Sequence, residues 1–195
     1  LRNRIFIDRT QGIGILKKDL AIEMGVTGAM LRSTGVDYDV RKAHPYSLYE
    51  RFDFEVPIGH DGDNYDRFLV RTEEMRQSMR ILEQAVAQMP DDGPINVEDV
   101  RIMMPPKDQV YNTIEGTIAH FKLVMEGLKP PVGEVYSYTE AGNGELGFYI
   151  VSDGSGTPYR VRCRPPCFIN LAICRDMLLD EMIADIVPTF GSVNM

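Results

Sequence analysis

Hydrophobic spacing divides the chain into helical and extended stretches before any motif is considered. The strongest pattern is Phe68, Thr72, Met75, Met79, Leu82, Val86 and Met89, which alternate in steps of four and three. An α-helix turns once in about 3.6 residues, so this spacing lays all of these side chains along one face. It predicts a helix over Asp66–Met89 whose stripe is buried in the chain's own core. Asp61, Asp63 and Asp66 crowd its start, where carboxylates favour the positive end of the helix dipole, and Pro90 and Gly93 end it. At about 1.5 Å per residue such a helix is about 36 Å long. A second long helix is predicted from about Asp108 to Glu126, after Pro105-Pro106. Its apolar face is Val110, Ile114, Ile118, Phe121 and Met125, and Gly127 closes it.

Shorter elements surround these two. Leu1 to Ile15 reads as an extended entry and turn around Gly12 and Gly14. Short helices are expected over Asp19–Met24 and Thr27–Thr34, stopped by Gly25 and Gly35, since glycine just past a helix end is a common terminator. Val36 to Gly62 has little periodicity and reads as an ordered, irregular connection. The period then falls to two in Val135–Thr139, Leu146–Ser152 and Thr157–Cys163, which predicts three strands. Gly142-Asn143-Gly144 and Asp153-Gly154-Ser155-Gly156 between them suit hairpin turns. After Pro165-Pro166, Phe168 to Val187 is helical again with a break near Cys174 to Asp176. The expected class is α+β: long core helices with a small three-stranded antiparallel sheet, in one domain or one large fragment of 195 residues.

Composition narrows the function classes. Hydrophobic residues make up 44% of the chain, enough for a real core. The net charge of -8, without a basic stripe, argues against nucleic-acid binding, where neutralising phosphates dominates affinity. No apolar run approaches the ~18 to 20 residues of a membrane-spanning helix, and no segment resembles a signal peptide. The expectation is a soluble, intracellular protein whose membrane contact, if any, is made through partners.

Few residue patterns point to chemistry. Gly12-Ile13-Gly14 lacks the third glycine of a dinucleotide loop, because Lys17 stands there, so it reads as a turn. His60-Asp61-Gly62-Asp63 has its glycine misplaced for a calcium loop and reads as helix-start acids. His44, His60 and His120 are scattered, and no serine or cysteine has an evident base and orienting group. Arg160, Arg162 and Arg164 alternate along the third strand and read as a solvated or interface face. Cys163, Cys167 and Cys174 do not match C-x2-C zinc spacing and read as structural thiols, so no metal is assigned to them.

Longer blocks carry a resemblance. Gly28-Ala29-Met30-Leu31-Arg32-Ser33-Thr34-Gly35 and Asp39-Val40-Arg41-Lys42-Ala43-His44-Pro45-Tyr46 resemble the 49-kilodalton (D-type) family of respiratory complex I subunits, part of the NADH-quinone oxidoreductase. So do Gly62-Asp63-Asn64-Tyr65-Asp66-Arg67, Glu73-Glu74-Met75-Arg76-Gln77-Ser78, Gly144-Glu145-Leu146-Gly147 and Val151-Ser152-Asp153-Gly154. Pro158-Tyr159-Arg160, Ala184-Asp185-Ile186-Val187 and Gly191-Ser192-Val193 continue the match in family order.

The resemblance implies a fold like the large subunit of nickel–iron hydrogenases without its metal. It implies that residues 1–195 are the C-terminal part of the family's subunit, with an N-terminal half and a few last residues beyond them. It also implies a place in the peripheral arm, on the cytoplasmic side of the inner membrane (the matrix side in a mitochondrion). There the family packs against the iron–sulfur small subunit and helps form the quinone site, coupling electron transfer from NADH to ion pumping. On this reading the chain binds no cofactor itself: quinone is the substrate, and the neighbouring iron–sulfur cluster belongs to a partner. The isolated chain is expected to be inactive, with no catalytic residue of its own. Asn194 and Met195 are the residues expected near the quinone cavity. Three positions depart from the pattern: Cys167 and Asn170 stand where many members have Gly and His, and Asn194 where many have Asp. Two other classes stay open: a large subunit of a membrane-bound nickel–iron hydrogenase, which needs C-x-x-C pairs of thiolate ligands, and a non-catalytic interaction module of the same fold.

Overall fold

The computed structural model describes residues 3–97, 99 and 101–194. Contacts divide the chain into two compact units. One comprises Leu1–Gln88, Tyr138–Gly147 and Arg164–Met195, and the other Met89–Ser137 and Phe148–Cys163.

The first unit opens with a helix where an extended entry was expected. Helix α1 (Arg4–Asp8) forms because Asn3 caps it, its side chain accepting from the Ile5 amide at 2.9 Å. Phe6 then sets its ring edge against Phe68, 4.9 Å between centroids. The turn that the glycines suggest follows α1 over residues 9–14, and within it Gly12 and Gly14 have positive φ. Helices α2 (Lys18–Glu23) and α3 (Ala29–Arg32) follow as expected, with Gly25 and Gly35 left-handed after them. The stretch before residue 62 is irregular, as expected, with one short helix, α4 (Val40–Ala43), and one 3-10 turn, Tyr49–Arg51.

The long helix α5 (Asn64–Ala87) begins at Asp63, whose side chain accepts from the Asp66 amide at 2.7 Å. Its expected orientation is overturned. Met75, Met79, Leu82, Val86 and Met89 are all more than half exposed, whereas Arg67 and Val70 are buried. The inward face is polar because the final helix, α10 (Ile186–Val193), offers it carbonyl and hydroxyl acceptors rather than apolar surface. Periodicity shows which side chains share a face; only the surrounding elements decide which face is covered. The core lies instead among α2, α3 and the last helices: Leu16, Ala21, Val26, Met30, Leu31, Ile173, Cys174, Met177 and Val193.

Those last helices are α8 (Pro166–Ala172), α9 (Cys174–Leu178) and α10, with a 3-10 turn at Ile183–Asp185. The expected break is present at Ile173, and the chain turns again at Asp180, where φ is 65°. The helical region extends past Val187 to Val193.

The second unit holds α6 (Lys107–Asn112) and α7 (Ile114–Met125) in place of one continuous helix. Thr113 leaves helical geometry, and its hydroxyl accepts from the Gly116 amide at 3.1 Å, capping the new helix. Gly116 permits the tight corner, since a Cβ there would stand 2.4 Å from the Gln109 carbonyl. Ile114, Ile118, Phe121 and Met125 are exposed.

The strands are β1 (Gly133–Ala141), β2 (Gly144–Ser152) and β3 (Arg160–Arg164), in the order β1-β2-β3, an antiparallel sheet as expected. The α+β class holds.

Candidate functional site

A buried arginine, Arg67, and a half-buried one a turn later on α5, Arg71, organise the end of α10. Arg67 is fully buried and donates to the carbonyls of Gly14 and Gly62, both at 2.7 Å, and to Ser192 Oγ at 2.9 Å. Burial, assisted by neighbouring Arg71, lowers its pKa to about 10. Arg71 donates to the carbonyls of Ser192 and Val193. These bonds close the last turn of α10, whose carbonyls have no partner within the helix. Beyond it Asn194 is left-handed and exposed, and its side-chain amide donates to Asn143 Oδ1 at 2.9 Å. Of the two expected site residues, Asn194 therefore meets the β1–β2 turn, and Met195 lies outside the described residues.

A second cluster, unread from the sequence, centres on Arg32, 3% exposed. Its guanidinium donates to Glu74 at 2.8 Å, to Glu140 at 2.9 Å and to the Tyr38 carbonyl at 3.0 Å, and lies 3.7 Å from Asp39. Asp39 is in turn held by a forked pair with Arg41. Burial alone would lower the Arg32 pKa, but Glu74, Glu140 and Asp39 together raise it. Burial pushes the Glu140 carboxyl above the usual range, with Arg32 pulling the other way, whereas the hydrogen bonds and charge of Arg41 overcome burial and hold Asp39 low. Arg32 and Glu140 are a pair that chain distance hides. The one local signal is Asp39 two residues before Arg41, a spacing that lets the aspartate cap α4 and grip the arginine. Tyr38 beside them is raised to about 12 by burial and by Glu145, to which its hydroxyl donates.

The remaining candidates disperse. The amides of Gly12 and Gly14 are taken by Asp63 and Glu181, so the loop's donors are occupied by the protein's own carboxylates. Asp66 accepts from the amides of His60 and Asp61, which makes that run the helix start expected. His44 stacks edge-on against Tyr138. Arg160 and Arg162 are exposed, but Arg164 is an internal anchor that donates to Thr27, Glu145 and Gly25. Cys163 is exposed, Cys167 half-buried and Cys174 buried, its thiol pushed up by burial. Among the described residues no three of His, Cys, Asp and Glu come together as metal ligands, and no helix is long and apolar enough to cross a membrane.

Large apolar side chains are exposed along α5 and α7, the kind of surface on which protein contacts are often made. The model of the respiratory-chain NADH dehydrogenase 49 Kd subunit family matches residues 1–195, and the chain belongs to that family. It is 63% identical over 195 residues to the first D-type subunit of the NADH-quinone oxidoreductase of Sorangium cellulosum (strain So ce56), covering all of this chain and 48% of that relative. It is 58% identical over 193 residues to the D-type subunit of Myxococcus xanthus (strain DK1622), covering 99% of the chain and 46% of the relative. With the C/D-type subunit of Bdellovibrio bacteriovorus it shares 51% over 193 residues, 34% of that relative. The chain thus spans about half the length of the first two relatives.

Proposed function

We propose that the chain forms part of the quinone-reducing region of an NADH-quinone oxidoreductase and works only within that assembly. The observation that carries this is the family match along all 195 residues, together with relatives named as D-type subunits of that enzyme. In this reading the whole complex passes electrons from NADH to quinone and couples the transfer to ion pumping. The chain sits in the peripheral arm, on the cytoplasmic side of the inner membrane or the matrix side in a mitochondrion. It contacts the iron–sulfur small subunit, which holds the last cluster before quinone. In this reading the chain holds no cluster of its own, and electron transfer is assigned to partners. The stripe Met75, Met79, Leu82, Val86 and Met89 is read as surface covered on assembly; methionine side chains repack readily against such partners.

Asn194 and Met195 are proposed to border the quinone cavity. Its floor would be the end of α10, held in place by Arg67 and Arg71. The test is made in membranes carrying the assembled complex with Asn194→Leu or Met195→Asp. The expected result is a severalfold higher KM for quinone with KM for NADH unchanged. Unaltered quinone kinetics in both variants overturn the cavity assignment.

A further inference from the structure

We infer that Asn143 is a positioning residue whose amide clasps the chain at Asn194 to the β1–β2 turn, with Cys167 and Asn170 meeting the same residue. Asn143 Nδ2 donates to the Asn194 carbonyl at 2.5 Å and to Cys167 Sγ at 3.2 Å. Its Oδ1 accepts from Asn194 Nδ2 at 2.9 Å, and its backbone carbonyl accepts from Asn170 Nδ2 at 3.4 Å. Cys167, Asn170 and Asn194, all distant from Asn143 in sequence, therefore meet at a single residue.

The turn that carries Asn143 is itself immobilised. A Cβ at Gly28 would stand 2.6 Å from the Asn143 carbonyl, and one at Gly144 would stand 2.5 Å from Thr27 Oγ1, so the backbones touch directly. Thr27 Oγ1 also accepts from the Glu145 amide and from Arg164, each at 3.0 Å. On the far side of the chain end, Arg71 takes the carbonyls of Ser192 and Val193. Three successive carbonyls, at 192, 193 and 194, are thus held by side chains from two other elements. Asn194 also adopts the left-handed geometry that asparagine tolerates better than most residues.

The donors and acceptors explain why the set belongs together. An aspartate at 194 would point an oxygen at Asn143 Oδ1, where Asn194 now supplies a donor. A glycine at 167 would remove the sulfur that receives the second Asn143 hydrogen. Asn170 is fully buried, and its Oδ1 lacks a partner among the described residues, so this slot fits a small amide and leaves one acceptor free.

The clasp itself stands on geometry; only its consequence for quinone rests on the proposed function. The experiment uses the full-length protein in the assembled complex, with Asn143→Ala, Asn194→Ala, the double variant and the isosteric Asn143→Asp. Hydrogen exchange of the peptide spanning residues 192–194 and the KM for quinone are measured on each. Exchange is expected to rise about tenfold in Asn143→Ala, with the double variant no worse than either single, because interacting partners are not additive. Asn143→Asp keeps the shape and the bond from Asn194 Nδ2 but turns an oxygen toward the Asn194 carbonyl, so its exchange should rise at least as far as in Asn143→Ala. Unchanged exchange, or additive effects, overturns the clasp. Faster exchange with unchanged quinone KM leaves the clasp standing and removes Asn194 from the cavity.

Discussion

Replacing Arg32 by Met tests the account of the buried charges most directly. Methionine has a similar reach but no charge, so the change strips a counter-ion from three carboxylates at once. Their fates differ. Glu74, with a side chain 17% exposed, can turn to water, and Asp39 keeps its forked partner Arg41. Glu140 is 4% exposed and retains the Val40 amide at 3.3 Å, but it loses its charged partner. The cost therefore concentrates on Glu140. Removing one member of a buried pair typically costs about 3–5 kcal/mol, a large share of the roughly 5–15 kcal/mol that holds a domain together. Burial already raises the Glu140 carboxyl above its ordinary 4.5, and losing Arg32 raises it further. A carboxyl raised in the folded state contributes its stability in full below its unfolded pKa and loses it as pH rises through the folded one. The Arg32→Met penalty should hence be smallest near pH 4.5 and grow toward neutrality. Asp39, held low, acts in the opposite sense: its contribution is present above 3.8 and fades as pH falls through the folded value. Urea melts followed by circular dichroism at several pH values measure both. The companion Arg32→Met with Glu140→Gln should recover most of the loss at pH 7. A penalty below about 1 kcal/mol at pH 7, or one that increases on acidification, refutes the reasoning.

Two further outcomes are expected. Met79→Asp should leave stability within about 0.5 kcal/mol, because the side chain is 58% exposed, and should reduce self-association measured by light scattering; a large loss of stability would mean that α5 turns its apolar stripe inward. In an ultraviolet titration Tyr38 should ionise late, at about 12 against the ordinary 10.0, and Tyr38→Phe should remove that contribution from the late-ionising tyrosines. Because the neutral phenol is favoured in the folded state, Tyr38 contributes stability below pH 10 that is lost as pH rises toward 12.

The sequence by itself determined what short-range physics controls. Glycine stops after α2 and α3, the aspartate cap before α5, the two-residue turn between β1 and β2, and the alternation of the strands all depend on neighbours within a few residues, so they can be read directly. The order of residue blocks along the chain is likewise enough to indicate the family. The departures have local and distant causes. Asn3 as a cap and Thr113 as a break are short-range signals that hydrophobic spacing does not register. The burial of the α5 stripe cannot be read at all: a stripe of spacing four and three is the same whether the covering surface lies in this chain or in another. Only the tertiary structure revealed that α10 supplies polar acceptors to the opposite face and so turns Arg67 and Arg71 inward. The same holds for Arg32 with Glu140, 108 residues apart, and Asn143 with Asn194, 51 apart. Hydrogen bonds and ion pairs act over about 3 Å of space, and the folded backbone alone decides which distant residues come within that reach.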